Sequence, residues 1–138
     1  MVAGHLLGLT LLAADLDPDP DGGLGHTHFA PSPRRDREFV EAVVTAYLAG
    51  FVAESRRAGS EAWDGAGFDL RESTQDWLAL DPDSREPVPE RLRRLRERAE
   101  ALLASNWALV EAVAAGLLAE HRLSSARLIE IMKIADQP

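Results

Sequence analysis

Four histidines are the residues best suited to chemistry in this 138-residue chain: His5, His26, His28 and His121. The chain has no cysteine, which excludes a disulfide framework, thiolate metal sites, iron–sulfur clusters and a thiol nucleophile. Imidazoles and carboxylates are therefore the strong metal ligands it can offer. His26 and His28 are two apart in Leu24-Gly25-His26-Thr27-His28-Phe29, which reads as a strand. Residues two apart on a strand share a face, so the pair can share a metal or line a groove. A solitary histidine such as His121 is more simply a surface or core residue.

His5 stands in Met1-Val2-Ala3-Gly4-His5-Leu6-Leu7-Gly8. In the helical motif H-E-x-x-H, two histidines one turn apart hold zinc, and the intervening glutamate polarises the attacking water. If His5 is the second histidine of such a motif, Met1 stands where the first would be and Val2 where the glutamate would be.

From this point the chain resembles the peptidase domain of the FtsH family, the ATP-dependent zinc metalloproteases. Met1-Val2-Ala3-Gly4-His5 occupies the place of the family's H-E-A-G-H, and Leu24 to Pro31 that of a Leu-Gly-containing strand ending in proline. Ala49-Gly50-Phe51-Val52-Ala53-Glu54 is similar to a later helical signature. Gly65-Ala66-Gly67-Phe68-Asp69-Leu70-Arg71-Glu72-Ser73-Thr74 resembles the stretch carrying the third zinc ligand, with Ser73 in place of alanine. Ala99 to Leu103, Asn106, Ala112 to Leu118 and Leu123 follow the family's helical pair. The resemblance implies that His5 and Asp69 are what remains of a zinc site. Asp69 also suits a helix N-cap after a glycine-rich loop. Glu54 could serve as a general base but reads more simply as a polar residue near a helix end.

Without the first histidine and the glutamate, zinc would have two protein ligands where catalytic zinc takes three, and no water-activating base. The resemblance therefore implies a stand-alone, catalytically impaired peptidase-like domain with a protein or peptide partner and low zinc occupancy. The alternatives are an active zinc metallopeptidase with a mis-assigned start, and a helical scaffold with no ancestral catalysis. No G-x-x-x-x-G-K-[ST] occurs, so no ATPase module is expected.

The elements that must position these residues follow from patterning. A short helix at Met1–Leu9 leads to a strand at Leu9–Leu16, the turn cluster Asp17 to Gly23, and a second strand at Leu24–Phe29, together a hairpin. Ser32 and Pro33 are read as a helix cap and first helical residue. Phe39, Val43, Ala46, Tyr47, Gly50 and Phe51 mark the buried face of a helix running to about Arg57. Ala58–Gly67 reads as a loop and Phe68–Leu80 as a shorter helix. Glu90–Glu120 is helical, bent or divided at Ser105-Asn106, and a last helix is capped by Ser124 or Ser125. The expected fold is mainly α, one domain over residues 1–138.

Composition sets the outer limits. A formal net charge of −8 and 28% charged residues describe a soluble globular chain and exclude a phosphate-neutralising nucleic-acid binder. Leu6–Ala14 is too short to span a bilayer, which takes about 20 apolar residues. No Lys or Arg precedes it, so no secretory signal is read and a cytoplasmic location is expected. Oligomeric state is left open.

Overall fold

The computed structural model describes residues 1–18, 24–58, 74–81 and 85–138. Its elements are α1 (Val2–Leu6), β1 (Leu11–Pro18), β2 (Leu24–Phe29), α2 (Arg37–Ala58), α3 (Val88–Ser105), α4 (Trp107–Glu120), β3 (Arg122–Ser124) and α5 (Ser125–Ala135). Residues 74–79 are also helical. The fold is mainly α with a small antiparallel sheet, as the patterning predicts. The chain divides into two compact units: Met1–Pro31 with Ser105–Pro138, and Ser32–Ala104.

In the first unit, α1 stops within two turns because Gly8 adopts a left-handed conformation (φ 85°). Its N–H bonds the His5 carbonyl at 3.0 Å, and the Leu9 N–H reaches back to the Gly4 carbonyl at 2.8 Å. This glycine cap satisfies carbonyls that a helix end leaves open. Leu9 is thereby committed to the cap, so the strand starts at Leu11 rather than Leu9. Gly4 matters for packing instead. A β-carbon there would lie 2.5 Å from Cζ of Phe29, so only glycine lets that ring press against α1.

The sheet order is β2-β1-β3. β1 pairs Leu11 with Phe29, Ala13 with His28, Ala14 with Thr27 and Asp15 with His26. Leu12 is the extra residue of a bulge, which re-phases the alternation so that Leu11 and Ala14 both face the core. On the other side, β3 pairs Leu123 with Ala14 and Arg122 with Asp15. Three residues without an alternating run gave β3 no signature in the sequence. The core gathers Val2, Leu11, Ala14, Leu109, Val113, Leu117, Leu123, Leu128 and Met132. Ser124 caps α5, its Oγ accepting from the Arg127 N–H at 3.2 Å.

In the second unit, α2 starts at Arg37, later than Ser32 and Pro33 imply. Asp36 is the cap, accepting from the Phe39 N–H at 3.3 Å, and Arg34 holds its carboxylate through two bonds of 3.0 and 2.9 Å. A carboxylate at this end also meets the positive pole of the helix, which a serine hydroxyl does not exploit. Ser32 instead accepts from the Arg34 N–H within the preceding turn. Val40, Val44, Leu48 and Phe51 form the buried stripe of α2, and Arg91, Leu95, Ala99 and Leu103 that of α3. The α3 stripe contains a charge, Arg91, bonded to Asp81 at 2.9 Å. Glu41 on α2 accepts from Arg37 and Arg94, and Arg94 also bonds Glu86. Helix α3 ends at Ser105, and Asn106 separates it from α4.

Among the described residues, no single helix is long and apolar enough to cross a membrane. Of the expected turn Asp17–Gly23, Asp17 and Pro18 belong to β1, and of the expected loop Ala58–Gly67, Ala58 ends α2. The rest of both, and residues 68–73 of the expected helix Phe68–Leu80, lie outside the described residues.

Candidate functional site

Asp15, His26 and His28 come together on the outer face of the hairpin. Alternation along β2 puts both histidines on one face, and the bulge at Leu12 turns Asp15 onto the same face of β1. Asp15 Oδ1 lies 3.1 Å from His26 Nδ1, and Oδ2 lies 3.0 Å from His28 Nε2. The histidine side chains are 36% and 48% exposed, whereas Asp15 beneath them is 5% exposed. The Asp17 N–H adds a third bond to Oδ1, at 3.1 Å.

This geometry fixes protonation. An ionised carboxylate only accepts, so His26 donates from Nδ1–H and His28 from Nε2–H. The bonds from His28, then those from His26, hold the Asp15 carboxyl well below its usual range, at about 2, against the opposing effect of burial. The result is two imidazoles held side by side by one carboxylate, with ring centroids 5.9 Å apart and planes tilted by 33°. Such an arrangement orients imidazoles for proton exchange, hydrogen bonding or metal ligation.

His5 sits elsewhere in the unit, half-buried in the last turn of α1. The preceding residue positions are core: Val2 is 5% exposed within the hydrophobic cluster, and Met1 packs against that cluster. Asp69 lies outside the described residues, so the pairing of His5 with Asp69 has no geometry to report. His121 is structural, ending α4 with a left-handed backbone (φ 66°) while its carbonyl accepts from the Leu16 N–H of β1 at 3.0 Å. Glu54 lies on α2, in the second unit.

Sequence reasoning found the shared face of His26 and His28 but missed Asp15. Alternation assigns faces within a strand, but the pairing of Asp15 with His26 depends on register, which the turn cluster does not fix. Among the described residues, no group of three or more His, Asp or Glu side chains is placed to hold a metal ion. On α1, His5 offers one imidazole, and positions 1 and 2 carry apolar side chains. No family model matches the chain, and no curated protein matches it.

Proposed function

We propose that the chain is a peptidase-like domain of the kind its sequence resembles, binding protein or peptide segments rather than cleaving them. The observation that carries this reading is the burial of Val2. A zincin helix needs a glutamate at that position aimed at a metal-bound water. Here the side chain is 5% exposed and belongs to the hydrophobic core. A glutamate placed there would be buried without a partner, so the position is built for packing.

Binding has a site in the same unit. β2 is an edge strand in the order β2-β1-β3, and among the described residues it pairs on one side only. An extended peptide can add to such an edge through main-chain hydrogen bonds, with alternate side chains meeting His26 and His28. The zinc remnant proposed at His5 and Asp69 has no catalytic part in this reading.

Fluorescently labelled, unfolded casein tests it by anisotropy. Saturable binding that weakens when Thr27 is replaced by proline supports an edge-strand site, because proline removes a ladder donor. Absence of binding at about 100 μM protein overturns it, since even a weak segment-binding site holds its ligand in the micromolar range.

A further inference from the structure

We propose that Arg35 anchors a binding site for a peptide carboxylate, presented by an acidic side chain next to an apolar one. The site lies in the second unit and shares no residue with the edge strand β2, so it stands independently of the peptidase-like reading.

The first support is an open fork. Arg34 uses Nε and Nη2 to grip Asp36 at 3.0 and 2.9 Å, the side-on geometry in which a guanidinium meets a carboxylate. Its neighbour Arg35 instead donates from Nη1 to the carbonyls of Ser32 and Arg34, at 2.7 and 2.6 Å. Both Nη1 hydrogens are thereby used, and the Nε–Nη2 edge keeps its donors. Among the described residues, no carboxylate lies within ion-pair distance of Arg35.

The second support is that this fork is held in place. The Arg35 guanidinium carbon stands 5.3 Å from the centre of the Trp77 ring. Trp77 meets Phe39 edge-on, with centroids 6.2 Å apart, and Arg34 lies over Phe39 at 5.4 Å. The four side chains form one row, two rings with a cation at each end. Two carbonyls and an aromatic face order a side chain that is otherwise rich in rotamers, so a ligand meets a guanidinium already fixed. Shielding Trp77 from water would account for the stacking but leaves the two carbonyl bonds unexplained.

Charge selects the ligand. Residues 34–38 hold three arginines and two acids, a surplus of one positive charge. Arg34 is neutralised by Asp36, and Arg37 by Glu41 and Glu86. One unpaired guanidinium suits a monoanion such as a carboxylate better than a doubly charged phosphate, which draws on several cations. The formal net charge of −8 repels polyanions and leaves short segments with a single acid as suitable ligands. Apolar surface continues from Trp77: Leu80, whose N–H bonds the Trp77 carbonyl at 3.1 Å, is 45% exposed. An acidic residue with an apolar neighbour matches both features.

Titration of the isotope-labelled full chain with a capped phenylalanyl-aspartyl dipeptide, followed by NMR, tests the site. The Nε–H signal of Arg35 and the indole N–H of Trp77 should shift together and saturate in the millimolar range or tighter. The phenylalanyl-asparaginyl dipeptide, equal in shape but uncharged, should bind at least about tenfold more weakly. Arg35→Lys keeps the charge but lacks the fork, and should weaken binding by about tenfold. Arg93→Lys, at an exposed position of α3, should bind as the parent does. The comparison of dipeptides uses the parent chain and decides the matter even if a variant unfolds. Equal affinity for the two dipeptides, parent-like affinity in Arg35→Lys, a matching loss in Arg93→Lys, or no saturation by roughly 20 mM overturns the site. Displacement of the dipeptide by an equal concentration of inorganic phosphate overturns the assignment to a peptide carboxylate.

Discussion

Asp15 and His28 are not register partners, yet they are bonded: the Cα partner of His28 is Ala13, and its ring reaches diagonally to Asp15 Oδ2 at 3.0 Å. His26 makes the direct cross-strand bond to Oδ1. One carboxylate on the central strand thus ties two successive same-face positions of the edge strand.

Acid stability should report this tie. The carboxyl of Asp15 is lowered from 3.8 to about 2 in the folded chain. A group with a depressed folded value contributes stability that is fully present above its unfolded value and is lost as pH falls through the folded one. The contribution of Asp15 should therefore fade between about pH 4 and pH 2. Urea midpoints measured across that window should fall less steeply for Asp15→Asn than for the parent. Parallel pH profiles would mean that the two histidines do not engage Asp15.

Packing at the start of the chain makes a second prediction. Gly4→Ala places a β-carbon 2.5 Å from Cζ and 2.7 Å from Cε1 of Phe29. Both atoms belong to one rigid ring, which must shift as a whole to admit the β-carbon. The substitution should cost about 1–3 kcal/mol, measured by chemical denaturation.

Much of this architecture was legible in the sequence. The extent of β2 followed from the alternation Leu24, His26, His28 against Gly25, Thr27, Phe29, and the break at Asn106 from its local side-chain chemistry. The start of α2 was not, because Ser32-Pro33 and Asp36 both carry cap chemistry, and the choice fell to the Arg34 fork on Asp36. The histidine cluster was half legible. Period-two alternation gives faces, but partners require register, and a bulge at Leu12 alters register in a way that composition does not signal. β3 is legible only through its neighbours, since Leu123 is a strand residue by virtue of packing on Ala14.

The left-handed residue at the end of α4 offers a stabilising change. A non-glycine backbone at φ 66° carries steric strain. His121→Gly should raise stability by about 0.5–1 kcal/mol, strain relief outweighing the added chain entropy. His121→Ala retains the strain and should give no such gain, and thermal melts of the two variants side by side make the comparison.

In the second unit, Glu41 is the shared acceptor of Arg37 and Arg94, with Arg91 Nη2 3.9 Å away. Burial opposes its ionisation, but the bonds from Arg94 and Arg37 outweigh that and lower its pKa. Arg91 is 2% exposed and keeps Asp81 as a partner when Glu41 is removed. Glu41→Ala should therefore cost about 2 kcal/mol, less than the full loss of a buried pair. Urea unfolding at neutral pH provides the measurement.

Hydrolysis is the most direct test of whether the chain lacks peptidase activity. Purified chain incubated with unfolded casein and stoichiometric zinc, followed by mass spectrometry of the products, should yield no fragments beyond those of casein alone. Fragments that accumulate with zinc and disappear with a chelator would contradict the account.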